Sequence, residues 1–210
     1  MERISLAEAG IDAAAAKAAA ALRAGGVVLY PTDTLYGLGA DALSDEAVAK
    51  VYALKGRRDD KPMHAIVADL AMAERYGEVN DTARRLAERL PKGKATFVVK
   101  KRIGLDAGIA KGRATFGFRI PDHDFCVALT RVFGTPVTAT SANVSGAAAP
   151  RRIDDILIQL GEAVSSISLV IDGGVLPPAA PSTVIDCASG VVILREGVVP
   201  APEVFVAAGI

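Results

Sequence analysis

Short apolar runs alternate along the chain with longer amphipathic segments, which is typical of interleaved strands and helices. Residues 6–23 are rich in alanine and are followed by two glycines, which predicts a helix with a glycine stop. The apolar run 27–30 ends at Pro31 and predicts a buried strand. Ser44 can cap another helix, which Gly56 is suited to end.

Further strands and helices follow in the same alternation. We predict strands at 64–67, 96–100, 115–120, 136–140, 169–172, 182–186 and 191–195, and helices at 70–76, 81–90, 125–133 and 153–160. The strands cluster in two places, and neither GxGxxG after a strand nor GxxxxGK[ST] occurs. This predicts an α/β fold with an open mixed sheet covered by helices. No linker or charge block divides the chain, so we expect one domain spanning residues 1–210.

Composition narrows the class of protein. Hydrophobic residues make up 51 % of the chain, enough for a buried core, and 24 basic residues balance 24 acidic ones. Zero net charge argues against tight non-specific binding to nucleic acid but leaves a local basic cleft open. Cys126 and Cys187 lie far apart without a CxxC, which fits a reducing compartment. Without a signal peptide or a membrane-length apolar run, we expect a cytoplasmic protein without membrane contact.

The segment 32–39 follows the predicted buried strand and combines hydroxyl groups with two glycines. Loops at strand ends are where α/β folds present ligand contacts, and glycines let a ligand approach the backbone. Thr34 and Tyr36 are therefore candidate binding residues. An ordinary turn has the same composition and stays an alternative.

A basic segment with Lys55, Arg57 and Lys61 follows the helix that begins near Ser44. Lysine offers a compact cation and arginine a bidentate fork, a combination that suits a polyphosphate. Past the end of a helix, Lys55 and Arg57 can share one side of an extended segment. A solvated basic stretch near a helix C-terminus explains the same pattern.

A second polar segment, 138–146, follows another predicted strand. Its small residues, such as Ala139, leave room for a ligand that the Ser141 hydroxyl and the Asn143 amide can orient. Plain turns and helix caps share this composition.

Arg119 and Arg195 each lie among apolar residues of a predicted strand. A buried arginine needs an acceptor, so each is a candidate anion ligand or a member of an internal salt bridge. Ser182 begins a strand that can reach the same cleft. His64 and His123 lack any HExxH or Ser/His/Asp context, so we expect neither to be catalytic, and we expect no dedicated metal site.

Together these segments resemble the YrdC-like family, which includes threonylcarbamoyl-AMP synthases. The resemblance runs from about residue 25 to residue 197, in the family's order. It consists of YPTDTLYGLGADA from Tyr30, Lys55-x-Arg57, GFRIPDH from Gly117, SANVSG from Ser141, PSTVID from Pro181 and LREG from Leu194. It implies a twisted open α/β sheet with flanking helices around a positively lined cavity, in the family's short, single-domain form.

The resemblance also implies an activity. L-threonine, bicarbonate and ATP would be converted to L-threonylcarbamoyl-AMP and pyrophosphate, a nucleotidyl transfer that feeds the t6A modification of tRNA through a separate threonylcarbamoyl transferase complex. Mg²⁺ is expected with the ATP, without an all-protein cage. A weak contact with tRNA stays open.

The resemblance divides the site into two sides. It assigns the nucleotide side to Lys55, Arg57, Lys61, Ser141, Asn143 and Arg195. Lys55 and Arg57 are the expected catalytic residues. It assigns the threonine side to Thr34, Tyr36, Arg119, Ala139 and Ser182, with Arg119 pairing with the carboxylate.

Two positions depart from the family pattern. Many relatives carry a histidine where this chain has Ile66, although His64 shares the same predicted strand face, and many carry a serine where this chain has alanines at 147–149. Two other functions stay open. One is a non-catalytic protein of the same fold that binds tRNA or double-stranded RNA, and the other is a carbamoyl-adenylate enzyme that acts on a different amine.

Overall fold

A computed structural model describes residues 1–56 and 62–210. The predicted site residues Arg57 and Lys61 lie outside the described residues. The described part forms eleven strands: β1 (Glu2–Ser5), β2 (Val27–Pro31), β3 (Tyr36–Gly39), β4 (His64–Ile66), β5 (Gly77–Glu78), β6 (Ala95–Lys101), β7 (Thr115–Arg119), β8 (Val137–Ser141), β9 (Ile167–Asp172), β10 (Thr183–Asp186) and β11 (Val192–Arg195). It also forms eight α-helices: α1 (Leu6–Ala9), α2 (Ile11–Arg23), α3 (Asp45–Leu54), α4 (Leu70–Glu74), α5 (Asp81–Arg89), α6 (Asp124–Phe133), α7 (Ile153–Leu160) and α8 (Ala201–Ala208).

The strands form one mixed sheet in the order β1-β9-β2-β3-β8-β4-β7-β6-β10-β11, with β5 paired to β6 beside this path. Strand β9 runs parallel to both of its neighbours, whereas β3 runs antiparallel to both of its own. Helices flank the sheet. The predicted α/β fold with an open mixed sheet is confirmed.

Successive residues of each strand point to opposite faces, and this divides the core into two clusters. On β2, Val27 and Leu29 belong to one cluster, which also holds Leu86 of α5. Val28 and Tyr30 belong to the other cluster. In that cluster, helices α2 and α6 pack on strands β1, β9, β2, β8 and β4. No described buried residue of β6, β7 or β10 belongs to that second cluster.

The predicted helix at 6–23 is wrong at one point, because it is two helices separated by Gly10. Gly10 has φ 76° and ψ 162°, a conformation that glycine adopts readily and that interrupts the helix. Ser5 caps the first of the two, since its Oγ accepts from the Glu8 amide at 3.3 Å. Strand β1, which pairs in parallel with β9, was not predicted.

The prediction of a ligand loop over the whole of 32–39 is also wrong in its second half, because Tyr36–Gly39 is strand β3. Its glycines make room for the Tyr30 ring on the neighbouring strand. A Cβ at Gly39 would lie 2.7 Å from Tyr30 Cε1 and 2.9 Å from Val137 Cγ1, and one at Gly37 would lie 3.1 Å from Tyr30 Cζ. The Tyr30 hydroxyl donates to the Thr138 carbonyl at 3.0 Å.

No helix in the described ranges is both long and apolar enough to cross a membrane. Cys126 and Cys187 are both buried and carry free thiols.

Replacement of Gly39 by alanine should lower the free energy of unfolding by about 1–3 kcal/mol, because the new methyl group overlaps the Tyr30 ring and Val137. Gly37→Ala is the matched control and should cost less, since its closest contact is longer. Urea unfolding of both variants and the wild type measures the difference. Equal stabilities for all three proteins would contradict this account of β3.

Candidate functional site

A cavity of about 450 Å³ lies on the part of the sheet face that α2 and α6 leave open. Its floor consists of alternate residues of three adjacent strands: Thr96 and Val98 of β6, Thr115, Gly117 and Arg119 of β7, and Val184 and Asp186 of β10. The predicted site residues that line it are Thr34, Tyr36, Arg119, Ala139, Ser141, Ser182 and Arg195. The described residues therefore bring five of the six sequence segments to one cavity.

Arg119 forms the internal salt bridge that was one of the two alternatives for it, and it also lines the cavity; anion binding by it stays a prediction. Its guanidinium forms a salt bridge with Asp33, 2.5 Å from Nη2 to Oδ1, and Nε donates to the Gly93 carbonyl at 3.0 Å. Nη1 donates to the Thr34 hydroxyl at 3.3 Å, and both residues line the cavity. Thr32 builds the turn that carries Thr34, because its Oγ1 accepts from the amides of Thr34 and Leu35.

Tyr36 lines the cavity, but its hydroxyl is used inside the protein. It donates to the Gly174 carbonyl at 2.7 Å and accepts from the Gly173 amide at 2.9 Å. Burial raises the pKa of Tyr36 to about 12, so the phenol stays protonated at neutral pH. Tyr36 therefore offers its ring, more than its hydroxyl, to a ligand.

Ser182 and Arg195 meet at the opposite side of β7 from Ala139. The Ser182 Oγ lies 2.8 Å from Thr96 Oγ1, and Arg195 Nη2 donates to the Ser182 carbonyl at 2.8 Å. Gly197 permits this approach, since a Cβ there would lie 2.4 Å from the Pro181 carbonyl oxygen.

Lys55 and Asn143 are both buried and belong to one hydrogen-bonded cluster, and neither is among the residues that line the cavity. The Lys55 ammonium donates to the Ser141 carbonyl, to the Asn143 carbonyl at 2.8 Å and to Asn143 Oδ1 at 3.0 Å. Asn143 Oδ1 also accepts from Ser141 Oγ at 2.5 Å, and Nδ2 donates to the carbonyls of Val144 and Ala147. The full capacity of the amide is used. Direct contact of Lys55 and Asn143 with ATP stays a prediction.

Among the lining residues that were absent from the predicted site, three carry a charged or imidazole side chain: Arg113, His64 and Asp186. Arg113 was missed although it lies two residues before Thr115 and four before Gly117. The period-two spacing from Arg119 back to Arg113 was the signal that could have identified it. His64 lies opposite Ala139 in the register of β4 and β8, and Asp186 lies opposite Val98 in that of β10 and β6.

The described lining is positively charged, with three guanidinium groups, Arg113, Arg119 and Arg195, against one carboxylate, Asp186. The pKa of Arg195 lies below its ordinary value, first because the protein removes part of its solvent and second because Arg119 repels it. An excess of positive charge in the lining favours an anionic ligand.

Two buried polar atoms in the described part lack a hydrogen-bond partner: Asp33 Oδ2 and His123 Nδ1. They belong to one neighbourhood, since the Asp33 charge acts on His123. Burial lowers the pKa of His123, and the carboxylates of Asp33, Asp122 and Asp124 oppose this effect.

The model of the Sua5/YciO/YrdC family, described as telomere recombination, matches residues 20–197. The chain belongs to this family. Among curated proteins, the threonylcarbamoyl-AMP synthase of Bacillus subtilis is 37 % identical over 189 residues, which are 89 % of this chain and 54 % of that protein. The synthase of Pyrococcus abyssi is 34 % identical over 189 residues, 89 % of this chain and 55 % of its own length. The chain thus spans about half the length of these two relatives.

Solved structures of the Sua5/YciO/YrdC family agree with the fold. Pyrococcus abyssi Sua5 in complex with L-threonine superposes with a TM-score of 0.87 at 31 % identity, covering 99 % of this chain and 60 % of that one. E. coli YciO superposes with a TM-score of 0.79 at 27 % identity, covering 96 % and 97 %.

Replacement of Lys55 by methionine should lower the free energy of unfolding by about 1–3 kcal/mol, because it leaves buried oxygens of Ser141 and Asn143 without their donor. The control is Lys50 on α3, an exposed residue whose ammonium donates to the Gly25 carbonyl at 2.7 Å. Lys50→Met should change the free energy of unfolding by less than about 0.5 kcal/mol. Chemical denaturation measures both. Equal effects of the two substitutions would contradict the structural role of Lys55.

The free energy of unfolding of the wild type should decrease as the pH falls below about 6.5, and that of His123→Gln should decrease less. The unfolded chain binds the His123 proton at a higher pH than the folded protein does, so protonation favours unfolding in this range. Urea unfolding at about pH 7.5 and about pH 5.5 avoids the titration of most carboxylates. An identical decrease in both proteins would contradict the assignment.

Proposed function

We propose that this chain forms L-threonylcarbamoyl-AMP and pyrophosphate from L-threonine, bicarbonate and ATP, and is therefore a nucleotidyltransferase. The observation that carries the proposal is the convergence of Thr34, Arg119, Ser182 and Arg195 on one positively charged cavity. Relatives named threonylcarbamoyl-AMP synthase and the threonine complex of Pyrococcus abyssi Sua5 support it.

The end of the cavity at Thr34 suits the binding of threonine. Arg119 would pair with the amino-acid carboxylate through Nη1, beside the Thr34 hydroxyl, and Ser182 would help to orient the substrate. Ala139 and Gly117 leave room for the substrate there, because neither carries a side chain beyond a methyl group. Orientation of this kind lets the threonine amine react with bicarbonate, with loss of water, to give a carbamate whose oxygen faces the nucleotide.

The cationic groups in the rest of the cavity wall suit the binding of the nucleotide. The carbamate oxygen attacks the α-phosphorus of ATP and pyrophosphate leaves, so negative charge grows on the departing group. Arg195 and Arg113 would offset that charge, and Ser141 would contact the nucleotide from the loop that Lys55 and Asn143 hold. Arg57 and Lys61 remain proposed phosphate ligands.

Mg²⁺ would accompany the ATP and screen its phosphates. No group of three or more metal-ligating side chains occurs among the described residues. Mg²⁺ on a nucleotide needs only one or two protein carboxylates, and Asp186 in the cavity wall fits that requirement.

Several further properties belong to the same proposal. Residues 1–210 would act as one domain in the cytoplasm, where the free thiols of Cys126 and Cys187 are stable. The product would pass to a threonylcarbamoyl transferase complex, with at most a weak contact between this chain and tRNA. A concave site of about 450 Å³ suits small molecules better than an RNA duplex.

Pyrophosphate release from ATP should require both L-threonine and bicarbonate, and mass spectrometry should detect threonylcarbamoyl-AMP. Arg119→Met should lower kcat/KM for threonine on the order of 100-fold, because a preorganised charged donor is lost. A folded wild-type preparation without threonine-dependent release would overturn the proposed function.

A further inference from the structure

The buried ion pair between Asp33 and Arg119 lies directly behind the cavity wall. Both side chains are only 7 % exposed, and their charged atoms are 2.5 Å apart. Arg119 lines the cavity, whereas Asp33 is not among the lining residues. Asp33 therefore does not line the cavity itself, and it is connected to the lining through Arg119 and through the turn that holds Thr34.

The contacts of Arg119 divide its guanidinium into a held edge and a presented edge. Nε and Nη2 form the held edge, which Gly93 O and Asp33 Oδ1 fix from two directions. Nη1 is directed to the Thr34 hydroxyl at 3.3 Å, on the cavity side. Because the guanidinium is planar, fixing one edge also fixes the direction of the other.

The carboxylate of Asp33 is poorly satisfied for a purely structural group. Its Oδ2 is buried and has no hydrogen-bond partner among the described residues. A buried ion pair is weak support for stability by itself, and a buried polar atom without a partner needs an explanation. A role of Asp33 in orienting Arg119 through Oδ1 would explain why a carboxylate is kept here although its other oxygen is unpaired.

Gly93 completes the arrangement by its lack of a side chain. A Cβ at this position would lie 2.2 Å from Asp33 Oδ2 and 2.9 Å from the Asp122 amide nitrogen. Its φ of 72° also disfavours other residues. Gly93 thus lets the carboxylate approach while its own carbonyl accepts from Arg119.

We propose that Asp33 and Gly93 are positioning residues for substrate recognition, which fix the Arg119 guanidinium so that Nη1 and the Thr34 hydroxyl meet the amino-acid carboxylate. The inference rests on the proposed function. It adds two residues that do not contact the substrate themselves.

Steady-state pyrophosphate release measures the KM for threonine and the KM for ATP separately. Asp33→Asn should raise the KM for threonine on the order of 10- to 100-fold, because small displacements of a binding group have effects of that size. The KM for ATP should stay near the wild-type value. Gly93→Ala should give the same pattern without changing any charge.

Leu86→Ala is the matched control for lost stability. Leu86 is fully buried on α5, in the cluster on the sheet face opposite the cavity, and its truncation leaves an internal cavity. This variant should unfold at a lower temperature while both KM values stay unchanged. A parallel rise of both KM values in Asp33→Asn, or no rise for threonine, would overturn the inference.

Combination with Arg119→Met tests whether Asp33 acts through Arg119. In the Arg119→Met variant, the addition of Asp33→Asn should cause no further loss of threonine affinity. It should also restore part of the lost thermal stability, because the buried Asp33 carboxylate, which has lost its arginine, is then replaced by a neutral amide. Additive losses would overturn the inference. If Asp33→Asn does not fold, Asp33→Glu tests the inference instead, because the longer side chain must shift the Arg119 guanidinium. An unchanged KM for threonine in Asp33→Glu would then overturn the inference.

These outcomes separate the inference from the proposed function. An inactive but folded wild type refutes the function, and the inference falls with it. An active wild type whose Asp33 variants keep the wild-type KM for threonine refutes the inference alone.

Discussion

The incomplete cover on one face of the sheet is the constraint on which the site depends. Helices α2 and α6 pack over β1, β9, β2, β8 and β4, and their cluster holds no described buried residue of β6, β7 or β10. On those three strands the opposite face is apolar, with Phe97, Phe116, Phe118 and Ile185. The open face instead carries hydroxyls and charges. Period-two alternation thus lets the same strands build the core and the cavity floor.

The positively charged residues around this cavity differ in how the protein compensates their charge. The Lys55 ammonium is surrounded by oxygens of residues 141–143 and holds that loop in place. Arg195 has one hydrogen bond to a carbonyl and no salt bridge within the described residues, so it remains available to an anion. Sequence alone does not reveal this difference, because a cation's residue type does not indicate its acceptors. Contact of either residue with the nucleotide stays a prediction.

Much of the fold could be predicted from local pattern. The capping of α3 by Ser44, the bounds of α7 and the strands β6 to β8 follow from spacing, caps and apolar runs. Strand β1 could not, because its sequence is polar and its pairing partner β9 lies more than 160 residues away. Helix α8 was also missed, since its short apolar sequence has no clear polar face.

The site was predictable as a set of segments but not as a set of contacts. Motif order indicated that residues 32–39, 117–123, 141–146, 181–186 and 194–197 belong together, and the structure brings residues of each segment to one cavity. It could not indicate that the glycines of β3 accommodate Tyr30, or that Lys55 and its own loop use the full capacity of the Asn143 amide. The first contact lies between neighbouring strands, and the second joins residues that are 88 positions apart. Contacts of this kind determine whether a polar residue supports the structure of the protein or is available to bind a ligand.

The contrast between Lys55 and Arg119 gives this distinction a physical criterion. Both are almost fully buried, which would be costly for either charge without compensation. Lys55 is compensated by acceptors around its ammonium, and a compact cation has no second edge to offer. Arg119 is compensated by Asp33 and Gly93 on one edge only, and its rigid fork directs the other edge into the cavity. A buried arginine can therefore be neutralised and still bind a ligand. That property accounts for an arginine, and not a lysine, at the base of this site.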